Sequence, residues 1–176
     1  MNEQFSILKS DAEVRTRLKE LAADISKDFQ HIQPDNPLLV LCTLRGAVFF
    51  AADLVRALTI PCEINFIKVK SYQGTRPVGS PIFELGEQID VKGREVLIIE
   101  DIVDTGYPMQ SMLEPLGTRE PASLEIASLF VKPARLKVPV DVKYSVFTIP
   151  DRFIVGFGLD YDELGRNFKD IYMLDE

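Results

Sequence analysis

Three carboxylates, a hydroxyl and a glycine crowd the run Glu100-Asp101-Ile102-Val103-Asp104-Thr105-Gly106, directly after the apolar Val96-Leu97-Ile98-Ile99. Paired carboxylates at the end of a buried strand suit magnesium or the hydroxyls of a sugar. A turn at Asp104–Gly106 leading into a helix offers backbone N–H groups to an anion such as a phosphate. An acidic turn that simply caps the helix is the plainer alternative, but capping accounts poorly for two adjacent acids closing an apolar run. The segment is neither a Gly-x-Gly-x-x-Gly fingerprint nor a Walker loop with its lysine.

Such residues need a sheet to carry them. Leu38-Leu39-Val40-Leu41-Cys42 is wholly apolar, the pattern of a strand covered on both faces, and further strands are expected at 62–69, 96–99 and 124–131. Helices are expected at 47–58 and about 108–117. Ahead of them, Ser10-Asp11-Ala12-Glu13 reads as a capping box. Val14, Leu18, Leu21, Ala22 and Ile25 then give an amphipathic helix to about residue 29. The turn-rich 30–37 links it to the first strand. Strands alternating with helices predict a single α/β domain over 1–176 with a mostly parallel twisted sheet flanked by helices. Residues 70–93 are polar and broken by glycine and proline, as in a functional loop or lid. Beyond 132, short strand-like pieces at 141–147, 153–157 and 170–174 are expected to pack over one end of the sheet.

Composition narrows the partners. The 176 residues carry a net charge of −7, with 46% hydrophobic and 27% charged residues, which is ordinary for a globular protein. An acidic field without a basic run argues against nucleic acid and anionic membranes, yet leaves a sugar phosphate open through magnesium and backbone N–H groups. Cys42 and Cys62 read as reduced core thiols, and no Cys/His cluster suggests zinc. The single histidine, His31, lies in a polar stretch, so a serine-type triad is not expected. No apolar run approaches a membrane span and no signal peptide opens the chain, which points to the cytoplasm.

Residues 96–106 resemble the phosphoribosyl pyrophosphate motif of type I phosphoribosyltransferases, and three further segments are similar to the hypoxanthine-guanine branch of that family. Leu44-Arg45-Gly46 with Phe49-Phe50 and Ala52-Asp53-Leu54 resembles its pyrophosphate loop and following helix. Lys70-Ser71-Tyr72 resembles the start of its lid, and Pro150-Asp151-Arg152-Phe153 through Tyr161 its base-binding end. The resemblance runs from about residue 38 to the end. It implies the type I phosphoribosyltransferase fold, with a small base-binding hood from 1–30 and 140–176.

The implied chemistry is transfer of a phosphoribosyl group from phosphoribosyl pyrophosphate to hypoxanthine or guanine, giving IMP or GMP with magnesium as cofactor. Glu100 and Asp101 match acids that meet the ribose hydroxyls directly or through magnesium, and Asp104 matches the residue assigned to proton transfer at purine N7. Thr105, Gly106 and Tyr107 match the 5′-phosphate turn. Arg45 and Gly46, after a peptide bond that is often cis in the family, and Arg166 match the pyrophosphate site; Asp160 matches a ligand of a second magnesium. Lys132 matches the donor to the purine 6-oxo group, Phe153 the stacking ring, and Ile154 the carbonyl facing the 2-position. Ser71 and Tyr72 match the lid. Two departures stand out: Pro108 where relatives commonly have threonine, and Arg76-Pro77 within the lid. By analogy a homodimer or homotetramer is expected. A nucleotide-sensing regulatory relative and a xanthine-preferring transferase are the alternatives.

Overall fold

The computed structural model describes residues 4–70, 82–85 and 89–175. In chain order the strands are β1 Phe5–Lys9, β2 Leu38–Leu44, β3 Cys62–Lys70, β4 Ile82–Leu85, β5 Glu95–Val103, β6 Ser123–Val131, β7 Tyr144–Thr148, β8 Ile154–Val155 and β9 Ile171–Leu174. The helices are α1 Asp11–Asp28, α2 Val48–Ala57 and α3 Tyr107–Gly117. Among the described residues six strands form one sheet, in the order β4-β3-β2-β5-β6-β7. All are parallel except β4, which runs antiparallel to β3. The remaining three form a small antiparallel sheet, β1-β9-β8.

The apolar runs are apolar because both sheet faces are covered. Leu38, Val40, Cys42, Leu97 and Ile99 face a core shared with α1 and α2, while Leu39, Leu41, Val96, Ile98 and Ile126 pack with Met109, Met112 and Leu116 of α3. Val14, Leu18, Leu21, Ala22 and Ile25 all lie on the buried face of α1.

The structure departs from the expected elements in four places. Ser10 Oγ accepts the Glu13 N–H at 3.3 Å, but the Glu13 carboxylate accepts from Lys9 Nζ at 2.6 Å, so the box is capped from one side only. α1 packs against α2 and β7, and β7 is an edge of the large sheet. Of the ranges 1–30 and 140–176, the hood sheet therefore takes β1, β8 and β9 alone. β5 also does not stop at Ile99: Glu100, Ile102 and Val103 stay paired with Ser128, Phe130 and Val131 of β6. The proposed loop at 70–93 contains β4, and its residues 71–81 and 86–88 lie outside the described residues.

At the opposite end of the sheet Glu95 accepts hydrogen bonds from Ser123 Oγ and, at 3.1 Å, meets His31 Nε2. Burial pushes the Glu95 carboxyl up, but the contacts from Ser123 and His31 outweigh it and leave it below its usual range. A lowered carboxylate stabilises the fold above its unfolded value, about 4.3, and that contribution is lost as pH falls through the folded value. Ser123→Ala is expected to cost about 1 kcal/mol at pH 7. In urea titrations repeated at falling pH, the gap from the parent should close below roughly pH 4.

Candidate active site

β2 and β5 are neighbours only as far as the pair Cys42↔Ile99. Beyond it β2 continues beside β3, through Leu44↔Lys68, and β5 continues beside β6. The sheet therefore splits at the carboxyl ends of its two central strands, where chain order reverses across β2. That is the switch point at which open α/β sheets hold ligands.

One wall of the split is Leu44-Arg45-Gly46, with a cis peptide bond between Leu44 and Arg45. A Cβ at position 46 would lie 1.6 Å from Asp101 Oδ2, so with glycine here the loop packs directly on the Asp101 carboxylate, which any larger residue would have to move. Gly158, in the hood, closes on the same loop: a Cβ there would lie 2.0 Å from the Gly46 carbonyl oxygen. Leu44, Arg45, Lys68 and Arg166 line a cleft of about 440 Å³.

The opposite wall is acidic. Glu100 Oε1 lies 2.8 Å from Thr43 Oγ1 and accepts the Asp101 N–H at 3.1 Å. Burial, then the charge of Asp101, push Glu100 well above its ordinary value, against the pull of Thr43. Thr43 Oγ1 also lies 3.1 Å from the Ile99 carbonyl, so its one proton can serve either oxygen. Burial followed by the charges of Glu100 and Asp101 drives the Cys42 thiol up to about 12, which makes it inert.

Past β5 the chain turns through Asp104-Thr105-Gly106 into α3. Gly106 has φ 86°, and a Cβ there would meet Val138 at 2.9 Å. Glu100, Asp104, Thr105, Gly106 and Pro108 share a pocket of about 60 Å³, and Tyr107 stands exposed at the start of α3. Asp104 Oδ1 accepts from Arg135 Nε at 2.8 Å; Arg135 also donates to Asp151 at 3.3 Å, and Lys132 Nζ lies 3.7 Å from Asp151. A chain of four alternating charges thus joins the turn to the end of β6. Lys132 is buried, 7% exposed.

The hood completes the rim. Phe153 is 44% exposed and meets Tyr161 edge-on at 5.5 Å, with Phe5 of β1 behind Tyr161 at 6.1 Å. Ile154 is buried in β8, paired with Met173 of β9. Arg166 donates to the Gly158 carbonyl at 2.9 Å and pairs with Asp160 at 2.7 Å. Ser71 and Tyr72 lie outside the described residues.

Residues 6–162 match the phosphoribosyl transferase domain family. The chain is 44% identical over 163 residues to a hypoxanthine phosphoribosyltransferase of Haemophilus influenzae, covering 92% of this chain and 90% of that one. It belongs to the hypoxanthine-guanine phosphoribosyltransferase family. A hypoxanthine-guanine phosphoribosyltransferase of Mycobacterium avium is 37% identical over 97% of this chain and 85% of its own. The hypoxanthine phosphoribosyltransferase of Trypanosoma cruzi in complex with the product IMP superposes with a TM-score of 0.90, at 38% identity, over 98% of this chain and 95% of that one.

Set on this phosphoribosyltransferase scaffold, the residues singled out in the sequence converge from four places. Arg45 and Gly46 follow β2, Glu100 and Asp101 lie in the last part of β5 with Asp104 to Tyr107 just beyond it, Lys132 follows β6, and Phe153 to Arg166 come from the hood. Four others were not singled out in the sequence: Thr43, Lys68, Arg135 and Glu163. Lys68 lines the cleft, and the other three join the site through a partner distant in sequence: Thr43 and Glu100 are 57 positions apart, Asp104 and Arg135 31, Arg45 and Glu163 118. The one local hint was a threonine ending an apolar run beside a loop.

Proposed function

We propose that the protein transfers the 5-phosphoribosyl group from phosphoribosyl pyrophosphate to N9 of hypoxanthine or guanine, giving IMP or GMP and pyrophosphate. The observation that carries this reading is the split between β2 and β5, where an arginine-lined cleft faces the acids of β5 with Gly46 against Asp101.

Thr105 and the N–H groups of Gly106 and Tyr107 hold the 5′-phosphate at the start of α3. Glu100 and Asp101 meet the ribose hydroxyls. Arg45, Gly46 and Arg166 take the pyrophosphate. Phe153 stacks on the purine, Lys132 donates to its 6-oxo group, and the Ile154 carbonyl faces the 2-position. Asp104 accepts the N7 proton as the glycosidic bond forms. Two carboxylates on one strand, with Asp160 opposite, are hard oxygen donors but no closed cage; no cluster of three or more ligating side chains occurs among the described residues. That fits magnesium, which keeps waters and shares substrate oxygens; Glu100 and Asp101 would hold one ion at the ribose, and Asp160 a second at the pyrophosphate. It would neutralise charge on the departing pyrophosphate.

Pro108 has neither the N–H nor the hydroxyl that threonine would offer the phosphate. Charge-assisted hydrogen bonds contribute about 1.5–3 kcal/mol each, so Pro108→Thr is expected to lower the KM for phosphoribosyl pyrophosphate roughly ten-fold. Proline also suits the first turn of α3. An unchanged KM would mean that this is its whole role.

A homodimer or homotetramer goes with this reading, supported by Phe49, Ile64 and Phe66, left 47%, 40% and 47% exposed. So does a cytoplasmic location: both thiols are free, and among the described residues no helix is long and apolar enough to cross a membrane. The deciding experiment incubates the protein with phosphoribosyl pyrophosphate, magnesium and labelled hypoxanthine, guanine, xanthine or adenine. Turnover of the first two supports the proposal. Preference for xanthine redirects it, and no turnover with any base would favour a nucleotide sensor.

A further inference from the structure

Glu163 stands on a turn with an uncommon backbone. Asp162 and Glu163 have φ of 49° and 67°, a region that residues with side chains seldom enter. The turn is fixed by the Glu163 N–H donating to Asp160 Oδ2 at 2.9 Å and by the paired backbone bonds of Tyr161 and Leu164 at 2.9 and 3.0 Å. Its outcome is a carboxylate set between two guanidinium groups. Glu163 Oε1 accepts from Arg45 Nη2 at 2.6 Å and Oε2 from Arg166 Nη2 at 3.4 Å. Those arginines come from different parts of the fold, and the cleft of about 440 Å³ opens between them.

Stability does not account for this arrangement. The Arg45 and Glu163 side chains are 65% and 62% exposed, and an ion pair in open water contributes little to folding. Asp162 and Glu163 are the two central residues of the hairpin turn closed by Tyr161 and Leu164, a turn that needs positive φ at both, and it sets the Glu163 carboxylate between the two arginines.

We propose that Glu163 is an internal stand-in for pyrophosphate: its carboxylate occupies Arg45 and Arg166 while the anion is absent and competes with the anion for them. This rests on the reading above that the two arginines take pyrophosphate. The more highly charged anion displaces a single carboxylate, but it must break both pairs to do so. When it leaves, Arg45 returns to a ready partner in Glu163, and Arg166 to Glu163 as well as to Asp160, with which it pairs at 2.7 Å. The consequence is weaker retention of the pyrophosphate product.

The test is calorimetric titration of the full chain with magnesium pyrophosphate, without base or nucleotide. Glu163→Gln keeps the size and the backbone turn and removes the charge; Glu163→Asn, a residue that tolerates positive φ, is the second variant should the first fold poorly. Either is expected to bind roughly three- to five-fold tighter than the parent. Arg45→Gln and Arg166→Lys, measured alongside, are expected to bind more weakly. Weakened arginine variants with unchanged or weaker binding by the Glu163 variants would overturn the stand-in and keep the pyrophosphate site. Undiminished binding by the arginine variants would overturn both.

Discussion

Replacing Asp104 with asparagine is expected to lower kcat roughly 10²- to 10⁴-fold, the range that a positioned proton acceptor contributes. KM for both substrates should change little. The substitution is close to isosteric, and an asparagine oxygen can still accept the Arg135 Nε–H that Asp104 accepts at 2.8 Å. Position and shape are thereby kept, and what is lost is the capacity to take a proton. The structure argues against a purely architectural Asp104 in a second way. The turn it begins is already closed by the Lys137 N–H donating to the Thr105 carbonyl at 2.9 Å and by Gln110 donating to Gly106 at 2.9 Å. Steady-state rates over varied hypoxanthine and phosphoribosyl pyrophosphate decide the matter. A fall in kcat with both KM values held supports proton transfer. A kcat within three-fold of the parent would remove Asp104 from the chemistry.

What was legible in the sequence was whatever the chain states locally. Apolar runs such as Leu38–Cys42 announce strands covered on both faces, and Val14 to Ile25 announces a helix by its period, because burial acts on each element through its own residues. The acids at 100, 101 and 104 were legible because their types are out of place at the end of a buried strand. The length of β5 was less so. Acids stop an apolar pattern, yet pairing of Ile102 and Val103 with β6 carries the strand past them.

The misses share one cause. β1 has no alternation to read; its burial is uneven, Ile7 is 59% exposed, and it is a strand because β9 pairs with it from the far end of the chain. The same holds for the split of the sheet, the site's main geometric fact. It arises because β2 stops pairing with β5 at Ile99, and no residue type at 43 or 100 encodes that divergence. Thr43, Arg135 and Glu163 are ordinary residues in ordinary stretches. They become part of the site only through contacts that the fold makes, each side chain answering a charge or a lone pair supplied by another element.

Lys132 is the second position where a large effect is expected, and it tests the base side independently of the sugar side. Lys132→Gln should lower kcat/KM for hypoxanthine roughly 10- to 100-fold, the worth of a charge-assisted hydrogen bond of about 1.5–3 kcal/mol. The KM for phosphoribosyl pyrophosphate should hold, since Lys132 lies at the end of β6, away from the Arg45 cleft. An ammonium only donates, so it suits an oxo group and not an adenine amino group; the glutamine amide can do both, and relative turnover of adenine should rise. Loss of the charge should not topple the fold. Asp151, 3.7 Å from Lys132 Nζ, keeps Arg135 at 3.3 Å, and burying an ammonium at 7% exposure is itself costly. Lys132→Met separates packing from donation: it fills the same volume with no donor and should lose hypoxanthine turnover without any gain for adenine. Should both variants turn over hypoxanthine within three-fold of the parent, the 6-oxo group is met by some other residue, and the purine does not lie between Lys132 and Phe153.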